Sequence, residues 1–190
     1  MRNFTIITPA SLTPVSLTEV KAHLKVDTTA DDTLITNLIV AATQSCEIYT
    51  NRFFIETEIK QYSDSWKETS TLYKSVVESI SLVQYYDSDN TLRTLDPADY
   101  YLDKISKPAR FRSAFNKSFP NIASRINAIE ITYKVGERFP ADVEDGVKQA
   151  ILLTIGNWYA NRESVITGRT ATELPLSSQY LLDQYKIQVC

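Results

Sequence analysis

Two amphipathic segments near opposite ends of the chain enclose a middle stretch that is patterned as β-strand. The first, DDTLITNLIVAATQSCEIYTNR, occupies 31–52, and the second, ADVEDGVKQAILLTIGNWYANR, occupies 141–162. Apolar residues recur in both at the period of an α-helix. Two helices so far apart in sequence bury their apolar faces only against each other or against neighbouring subunits. This arrangement is more typical of an assembly component than of an enzyme.

The apolar faces of these two helices define the expected helical core. On the first helix, Thr36, Thr43 and Glu47 fall opposite the apolar face. That face is expected to comprise Leu34, Ile35, Leu38, Ala41, Ala42, Ser45, Ile48 and Tyr49. The face of the second helix is expected to comprise Val143, Val147, Ile151, Ile155, Trp158 and Tyr159. Leu152 and Leu153 lie beside this second face, which suggests burial on another side of the helix.

At two predicted helix starts, pairs of polar residues have the sequence spacing of helix caps. Ser16 and Glu19 have the spacing of a capping box, in which the hydroxyl and the carboxylate each bind a backbone N–H of the first turn. This pair predicts a short helix before the first long one. Thr29 and Asp32 have the same spacing and predict a second capping pair.

Alternating patterns predict strands between the two long helices. Residues 53–66 alternate between apolar and polar side chains, as a half-buried strand does. Residues 80–95 have the pattern of a hairpin around the turn 87–90. Short strands are expected at 100–103 and 110–112, and a longer one at 127–135.

The predicted fold class is therefore α+β. A helical bundle core forms from the N- and C-terminal helices, and a β-rich insertion lies in the middle of the chain. In this division 1–52 and 136–190 form the helical core with a C-terminal docking tail, and 53–135 form the insertion.

Charge and composition exclude several classes of protein. The chain has 190 residues and a net charge of -3, so no global basic field indicates nucleic acid or an anionic membrane. No apolar run approaches the length of a membrane span, and the start MRNFTIITPASLTP lacks the apolar core of a signal peptide. The two cysteines, Cys46 and Cys190, are not arranged as a disulfide framework, which favours a reducing compartment.

No recognisable catalytic constellation, cofactor motif or metal site occurs in the sequence. His23 is the only histidine, and no nucleophile and orienting partner are indicated beside it. Asp31 and Asp32 diverge on a helix, and their position is explained by capping and the helix dipole. Asp87 and Asp89 lack the glycine and distal glutamate of a calcium loop, so a turn is expected there. We therefore expect neither an enzyme nor a bound cofactor.

The order of patterns along the chain resembles one known family. PVSLTEVKAHLKVD and DDTLITNLIVAATQSCEIYTNR resemble the N-terminal signature of the head-tail connector proteins of tailed bacteriophages and prophages. VQYYDSDNTLRTLDPADYYLD, ITYKVG and PADVEDGVKQAILLTIGNWYANRESV, followed by ELPL, are similar to later parts of the same family. The resemblance covers nearly the whole chain, and 104–125 is its least typical part.

This resemblance implies a structural role in the neck of the virion. Members of the family, also called adaptor or head-completion proteins, form a ring of about a dozen subunits beneath the portal. The ring extends the DNA channel and supports the tail or a stopper protein, and DNA passes without sequence-specific binding. Assembly would take place in the host bacterial cytoplasm and involves no membrane. The alternative is a DNA-packaging accessory protein that binds duplex DNA.

One basic segment is a candidate contact surface. It contains six cations and no acidic residue between them: Lys104, Lys107, Arg110, Arg112, Lys117 and Arg125. Phe111, Phe115 and Phe119 are interleaved with them, and a DNA-binding protein uses this combination for phosphate neutralisation and base stacking. Because DNA must slide through a connector, we favour a subunit interface for these residues, with DNA or portal contact as the alternative.

The C-terminal segment is a second candidate surface. Its apolar side chains are Leu174, Pro175, Leu176, Tyr180, Leu181, Leu182 and Tyr185. An isolated tail of this composition would expose an apolar patch. Two interpretations remain open: the segment packs on its own core, or it docks on the portal as a helix in a groove or an added strand.

Overall fold

The computed structural model describes residues 4–74, 76–161 and 174–188 of the chain. These residues contain both helices and strands, so the α+β class is confirmed. The helices are α1 (Leu17–Leu24), α2 (Asp32–Thr50), α3 (Asp145–Ala160) and α4 (Leu176–Leu182). The strands are β1 (Phe4–Thr8), β2 (Thr57–Ser63), β3 (Val77–Tyr86), β4 (Leu92–Thr94), β5 (Tyr100–Asp103), β6 (Arg110–Ser113) and β7 (Ile129–Val135).

The chain divides into two compact units, and the first is β-rich. It is drawn from 1–10, 56–137 and 187–190. Its main sheet has five antiparallel strands in the order β1-β2-β7-β3-β4, and β5 pairs with β6 in a separate two-stranded sheet. Strict alternation in β2 buries every second side chain, as its sequence pattern predicts.

The first strand corrects the expected division of the chain. The sequence assigns 1–52 to the helical core, but Phe4–Thr8 pairs with β2 at the edge of the sheet. Five residues with the sequence FTIIT are too short to show a clear period, so their pairing depends on the register that β2 offers.

The second unit is helical and comprises 11–55 and 138–186. The apolar faces of α2 and α3 share one buried core with side chains of α1 and α4. From α2 this core takes Ile35, Ile39, Ala42 and Cys46, and from α3 it takes Val147, Ala150, Ile151 and Ile155. The two long helices therefore bury their faces against each other, which is the first of the two arrangements that the sequence left open.

The buried stripe of α2 is narrower than the predicted apolar face. Ala41 and Ile48 were expected on that face, but Ala41 is exposed and Ile48 is 76% exposed. Thr43 was expected opposite, but it is buried. The contacts with α3 select the positions 35, 39, 42 and 46, and hydropathy counting did not separate these from their apolar neighbours.

The predicted capping box of α1 is confirmed, and the predicted capping pair at the start of α2 is wrong. The Glu19 backbone N–H donates to Ser16 Oγ at 3.2 Å, and the Ser16 N–H donates to Glu19 Oε2 at 2.7 Å. At the start of α2 the N-cap is Asp31, with no side-chain capping bond. Lys21 Nζ instead donates to Asp32 Oδ1 at 2.6 Å, which holds α1 and α2 together.

The cysteine of α2 is a packing residue. Cys46 is fully buried and is a free thiol. Burial raises the pKa of this thiol to about 12, so it stays protonated and unreactive at neutral pH. Cys190 lies outside the described residues. Among the described helices, none has the length and apolar character needed to cross a membrane.

Candidate partner-binding surfaces

The β5–β6 hairpin has an inner and an outer face that follow from strand alternation. Phe111 is buried on the inner face, where its ring lies 5.0 Å from that of Tyr100. The next residues along each strand point to the other side, so Tyr101 and Arg112, which are cross-strand partners, are exposed together. The inner face packs on the rest of the β-rich unit, and the outer face is exposed.

The turn that follows β5 is held by one carboxylate. Asp103 accepts hydrogen bonds from the backbone N–H groups of Ile105 and Ser106, from the Ser106 hydroxyl at 2.7 Å and from Arg110 Nε at 3.0 Å. These bonds, led by the one from the Ser106 side chain, lower the pKa of Asp103 to about 2. The turn presents Ile105, which is 92% exposed, between Lys104 and Lys107.

We expect Asp103→Asn to loosen this turn, because an amide oxygen accepts hydrogen bonds more weakly than a carboxylate. The pKa of Asp103 lies below its unfolded value, so its contribution is complete above about pH 4 and is lost as the pH falls through about 2. Amide hydrogen exchange of Ile105 and Ser106 should therefore be faster in the variant at pH 6, with exchange in β7 unchanged. Unchanged exchange at both turn residues would contradict this assignment.

The structure separates the six cations of the basic segment into two groups. Arg110 pairs with Asp103, and Lys117 pairs with Asp99, whose hydrogen bond raises the pKa of Lys117. Arg125 lies 3.7 Å above the centre of the Tyr86 ring and donates to Asn90 Oδ1 at 3.0 Å. The remaining three are exposed and have no hydrogen bond or ion pair within the described parts of the chain: Lys104, Lys107 and Arg112.

Sequence reasoning missed two apolar members of this site. Tyr101 and Ile105 are exposed beside the unpaired cations, and strand alternation would have placed Tyr101 opposite the inner face once Phe111 was known to be buried. We define the basic hairpin surface as Tyr101, Lys104, Ile105, Lys107 and Arg112. It combines positive charge with apolar area on one hairpin.

Two of the three interleaved phenylalanines do not serve as stacking platforms. Phe119 stacks on Trp66 with ring centres 4.4 Å apart, and Phe111 stacks on Phe119 at 5.4 Å. Phe111 is buried in the β-rich unit, and Phe119 is half-buried between the Phe111 and Trp66 rings. Phe115 is exposed just after β6. Of the three phenylalanines, only Phe115 therefore has a ring that is free to stack on a base.

The C-terminal segment contains both buried and exposed apolar side chains. Leu174 and Leu182 are buried in the helical core, and the Thr154 hydroxyl donates to Ser178 Oγ at 3.0 Å between α3 and α4. Leu176 and Tyr180, one turn apart on α4, are each 82% exposed. One face of α4 therefore packs on the core of its own chain, and the other face is exposed. We define the C-terminal apolar surface as Leu176 and Tyr180.

Close contacts hold the end of this segment on α3 and α2. A Cβ on Gly146 would lie 2.7 Å from the Tyr185 hydroxyl oxygen, so a larger residue there would displace the Tyr185 ring. The Tyr49 hydroxyl donates to Asp183 Oδ1 at 2.6 Å, and this bond raises the pKa of Tyr49. Of the remaining members of the predicted docking set, Pro175, Leu181 and Tyr185 are half-buried.

The residues considered for chemistry have structural contacts. Asp31 accepts a hydrogen bond from the Tyr159 hydroxyl, which holds the start of α2 near the end of α3. Asp87 accepts from the backbone of Asp89 and Thr91 and pairs with Arg93, so it organises the β3–β4 turn as expected. In the described ranges, no three His, Cys, Asp or Glu side chains come together in a way that would hold a metal ion.

Residues 14–107 match the sequence model of the phage gp6-like head-tail connector proteins. Over these residues the chain is similar to this family. The matched range begins just before α1 and ends in the turn after β5. It includes four of the five members of the basic hairpin surface: Tyr101, Lys104, Ile105 and Lys107. This family of connectors is a class of structural phage proteins rather than of enzymes. No curated protein matches the chain.

Solved structures show that the chain shares its fold with proteins of virus-like particles and their necks. A chain in the virion of a native gene transfer agent (GTA) particle is 18% identical, with a TM-score of 0.77 over 98% of this chain and 96% of that chain. A chain in the neck of a native GTA particle, computed with C12 symmetry, is 17% identical with a TM-score of 0.72 over 100% and 97%. A chain in an empty GTA neck, computed with C6 symmetry, is 16% identical with a TM-score of 0.73 over 99% and 97%.

Proposed function

We propose that the chain is a structural head-tail connector located in the neck of a phage-type virion. It forms a ring of about a dozen copies beneath the portal, extends the DNA channel and supports the tail or a stopper protein. One observation carries this proposal: the connector-family match coincides with a fold shared over nearly the whole chain with proteins of particle necks, one of them computed with C12 symmetry.

We propose that the connector body is the helical unit and that the β-rich unit is an insertion carried by it. The apolar faces of α2 and α3 are filled within each chain. The sequence alone left open that these faces pack against neighbouring subunits. Because they are already filled, the ring contacts lie elsewhere. They use surfaces that the folded chain leaves exposed, so the subunit is able to fold before it assembles.

The C-terminal apolar surface is the part that we assign to the portal. Leu176 and Tyr180 stand one helical turn apart on a helix whose other side packs on α3. This spacing suits a helix that inserts its exposed side into an apolar groove of a partner. DNA passes through the ring without sequence-specific contact.

The proposal predicts that the chain forms a multi-copy ring when mixed with the portal protein of its own particle. Native mass spectrometry and negative-stain imaging would measure the copy number and the position of the ring. Leu176→Asp with Tyr180→Asp should weaken portal binding by about tenfold or more, because both changes place a charge in an apolar contact.

Ile126→Asp is the matched control, because Ile126 is 76% exposed, close to the 82% of Leu176 and Tyr180, but lies in the β-rich unit. It should leave portal binding unchanged. A wild-type chain that stays monomeric in the presence of its portal would contradict the proposed function.

A further inference from the structure

We propose that the basic hairpin surface of one copy binds an acidic segment of the next copy in the ring. The acidic segment consists of Phe139, Asp142 and Asp145, at the start of α3. This inference rests on the proposed function, because it names the neighbour that a ring of identical subunits would supply. Neither surface is part of the helical core that holds each subunit together.

The basic hairpin surface is a preformed site with unmatched charge. Lys104, Lys107 and Arg112 are exposed and have no carboxylate partner within the described residues. The turn between the strands is held by the hydrogen bonds to Asp103, and the inner face is packed through Phe111. A surface that is already ordered loses little conformational entropy when it binds.

The acidic segment has the complementary composition. Asp142 and Asp145 are exposed and form no ion pair with any described residue, whereas Glu144 between them pairs with Arg52. Phe139 is also exposed and adds apolar area on the same segment, although the Arg138 guanidinium lies 5.5 Å from the centre of its ring. Two carboxylates beside an aromatic ring thus match cations beside Tyr101 and Ile105. Such complementarity selects a partner and its orientation.

The chemistry of the hairpin favours a protein partner over DNA. Ile105 is an aliphatic side chain at the most exposed point of the turn, where a phosphate backbone offers it no apolar contact. Arg110 and Lys117, which would strengthen a phosphate site, are paired with carboxylates of their own chain. Phe111 is buried, and the half-buried Phe119 ring is already stacked on Phe111 and Trp66, so neither ring offers a free face to bases.

A second copy is the partner that the chain itself supplies. The two surfaces are different parts of the same chain, so their contact is heterologous and repeats from one copy to the next. A repeated heterologous contact closes into a ring when its rotation divides a full turn. The contact therefore supplies the kind of interface that a connector ring requires.

Complementary charge reversal tests this contact. The hairpin variant carries Lys104→Glu with Arg112→Glu, and the acidic variant carries Asp142→Lys with Asp145→Lys. Assembly on the portal of the same particle is measured by native mass spectrometry, and circular dichroism checks that each variant is folded. Each variant by itself should assemble at least about tenfold less well than wild type, because like charges then face each other.

An equimolar mixture of the two variants should restore ring formation. In the mixture each altered surface meets an oppositely altered one, and each unaltered surface meets its native partner. The matched control is Lys25→Glu with Lys67→Glu, which reverses two exposed lysines outside the hairpin and should assemble as wild type does.

Each other outcome overturns the inference. If both variants assemble as wild type does, the contact is wrong while the connector function stands. If the mixture fails to restore assembly, and the hairpin variant has lost salt-dependent binding of a short duplex DNA that wild type shows, the surface binds DNA instead. If wild type itself does not assemble on the portal, the proposed function fails first.

Discussion

Ile35→Ala is expected to lower the free energy of unfolding of the helical unit by about 3 kcal/mol. Ile35 is fully buried on α2 within the core shared with α3. Removing its methyl and methylene groups loses their transfer free energy and leaves a cavity that the neighbouring helices fill only in part. Urea denaturation followed by circular dichroism would measure the change.

Ile48→Ala on the same helix is the matched control. Ile48 is 76% exposed, so its truncation removes little buried apolar area. Alanine is also the better helix former. We expect a change within about 0.5 kcal/mol of wild type. Equal losses at both positions would show that the wider apolar face predicted from the sequence is the correct one, and that α2 is oriented differently.

Glu144→Ala is expected to cost about 3 kcal/mol or more, because it leaves the buried guanidinium of Arg52 without its carboxylate. Arg52 follows α2, and its side chain is 2% exposed. Its Nη1 and Nη2 donate to the two oxygens of Glu144 at 2.9 and 3.3 Å. A bidentate pair of this geometry connects the end of α2 to the start of α3, so its loss should destabilise the helical unit. Thermal unfolding would report the loss as a lower midpoint.

Glu78→Ala provides the comparison for this prediction. Glu78 is an exposed glutamate on β3 with no ion pair within the described residues. Its removal should change stability by no more than about 0.5 kcal/mol. If Glu144→Ala were as mild as Glu78→Ala, water would reach the Arg52 guanidinium, and the ion pair would not hold the two helices together.

The ion pair between Arg52 and Glu144 also helps to explain how two segments distant in sequence form one unit. Residues 56–137 separate the end of α2 from the start of α3 and fold as part of the β-rich unit. Within the helical unit, Arg52 with Glu144 joins the two helices at one end, and Asp31 with Tyr159 joins them at the other. The apolar stripe between these polar contacts then has a defined register.

Local patterns predicted most of the elements but not their neighbours. The capping box of α1, the alternation of β2 and the hairpin of β3 and β4 follow from interactions a few residues apart. Strand β1 and the width of the α2 stripe did not follow, because each depends on which partner is adjacent. For the two candidate surfaces, the sequence predicted a basic set and an apolar set of residues, but not which of their side chains are exposed.

In both candidate surfaces, residue type alone does not reveal which side chains are paired or buried. All six cations of the basic segment look equivalent as residue types, yet Asp99 and Asp103 pair with two of them and the Tyr86 ring covers a third. The C-terminal segment likewise divides at α4, where Leu182 is buried and Tyr180 is exposed. A count of charges or apolar residues does not distinguish these members.

The amino-acid sequence by itself determined most of the element types, the α+β class and the resemblance to a connector family, because these depend on periodicity, capping and ordered motifs along one chain. The tertiary structure decided which side chains remain available to a partner. Burial and ion pairing are settled between residues that are distant in sequence, as Arg52 and Glu144 are, and the chain must fold before either exists.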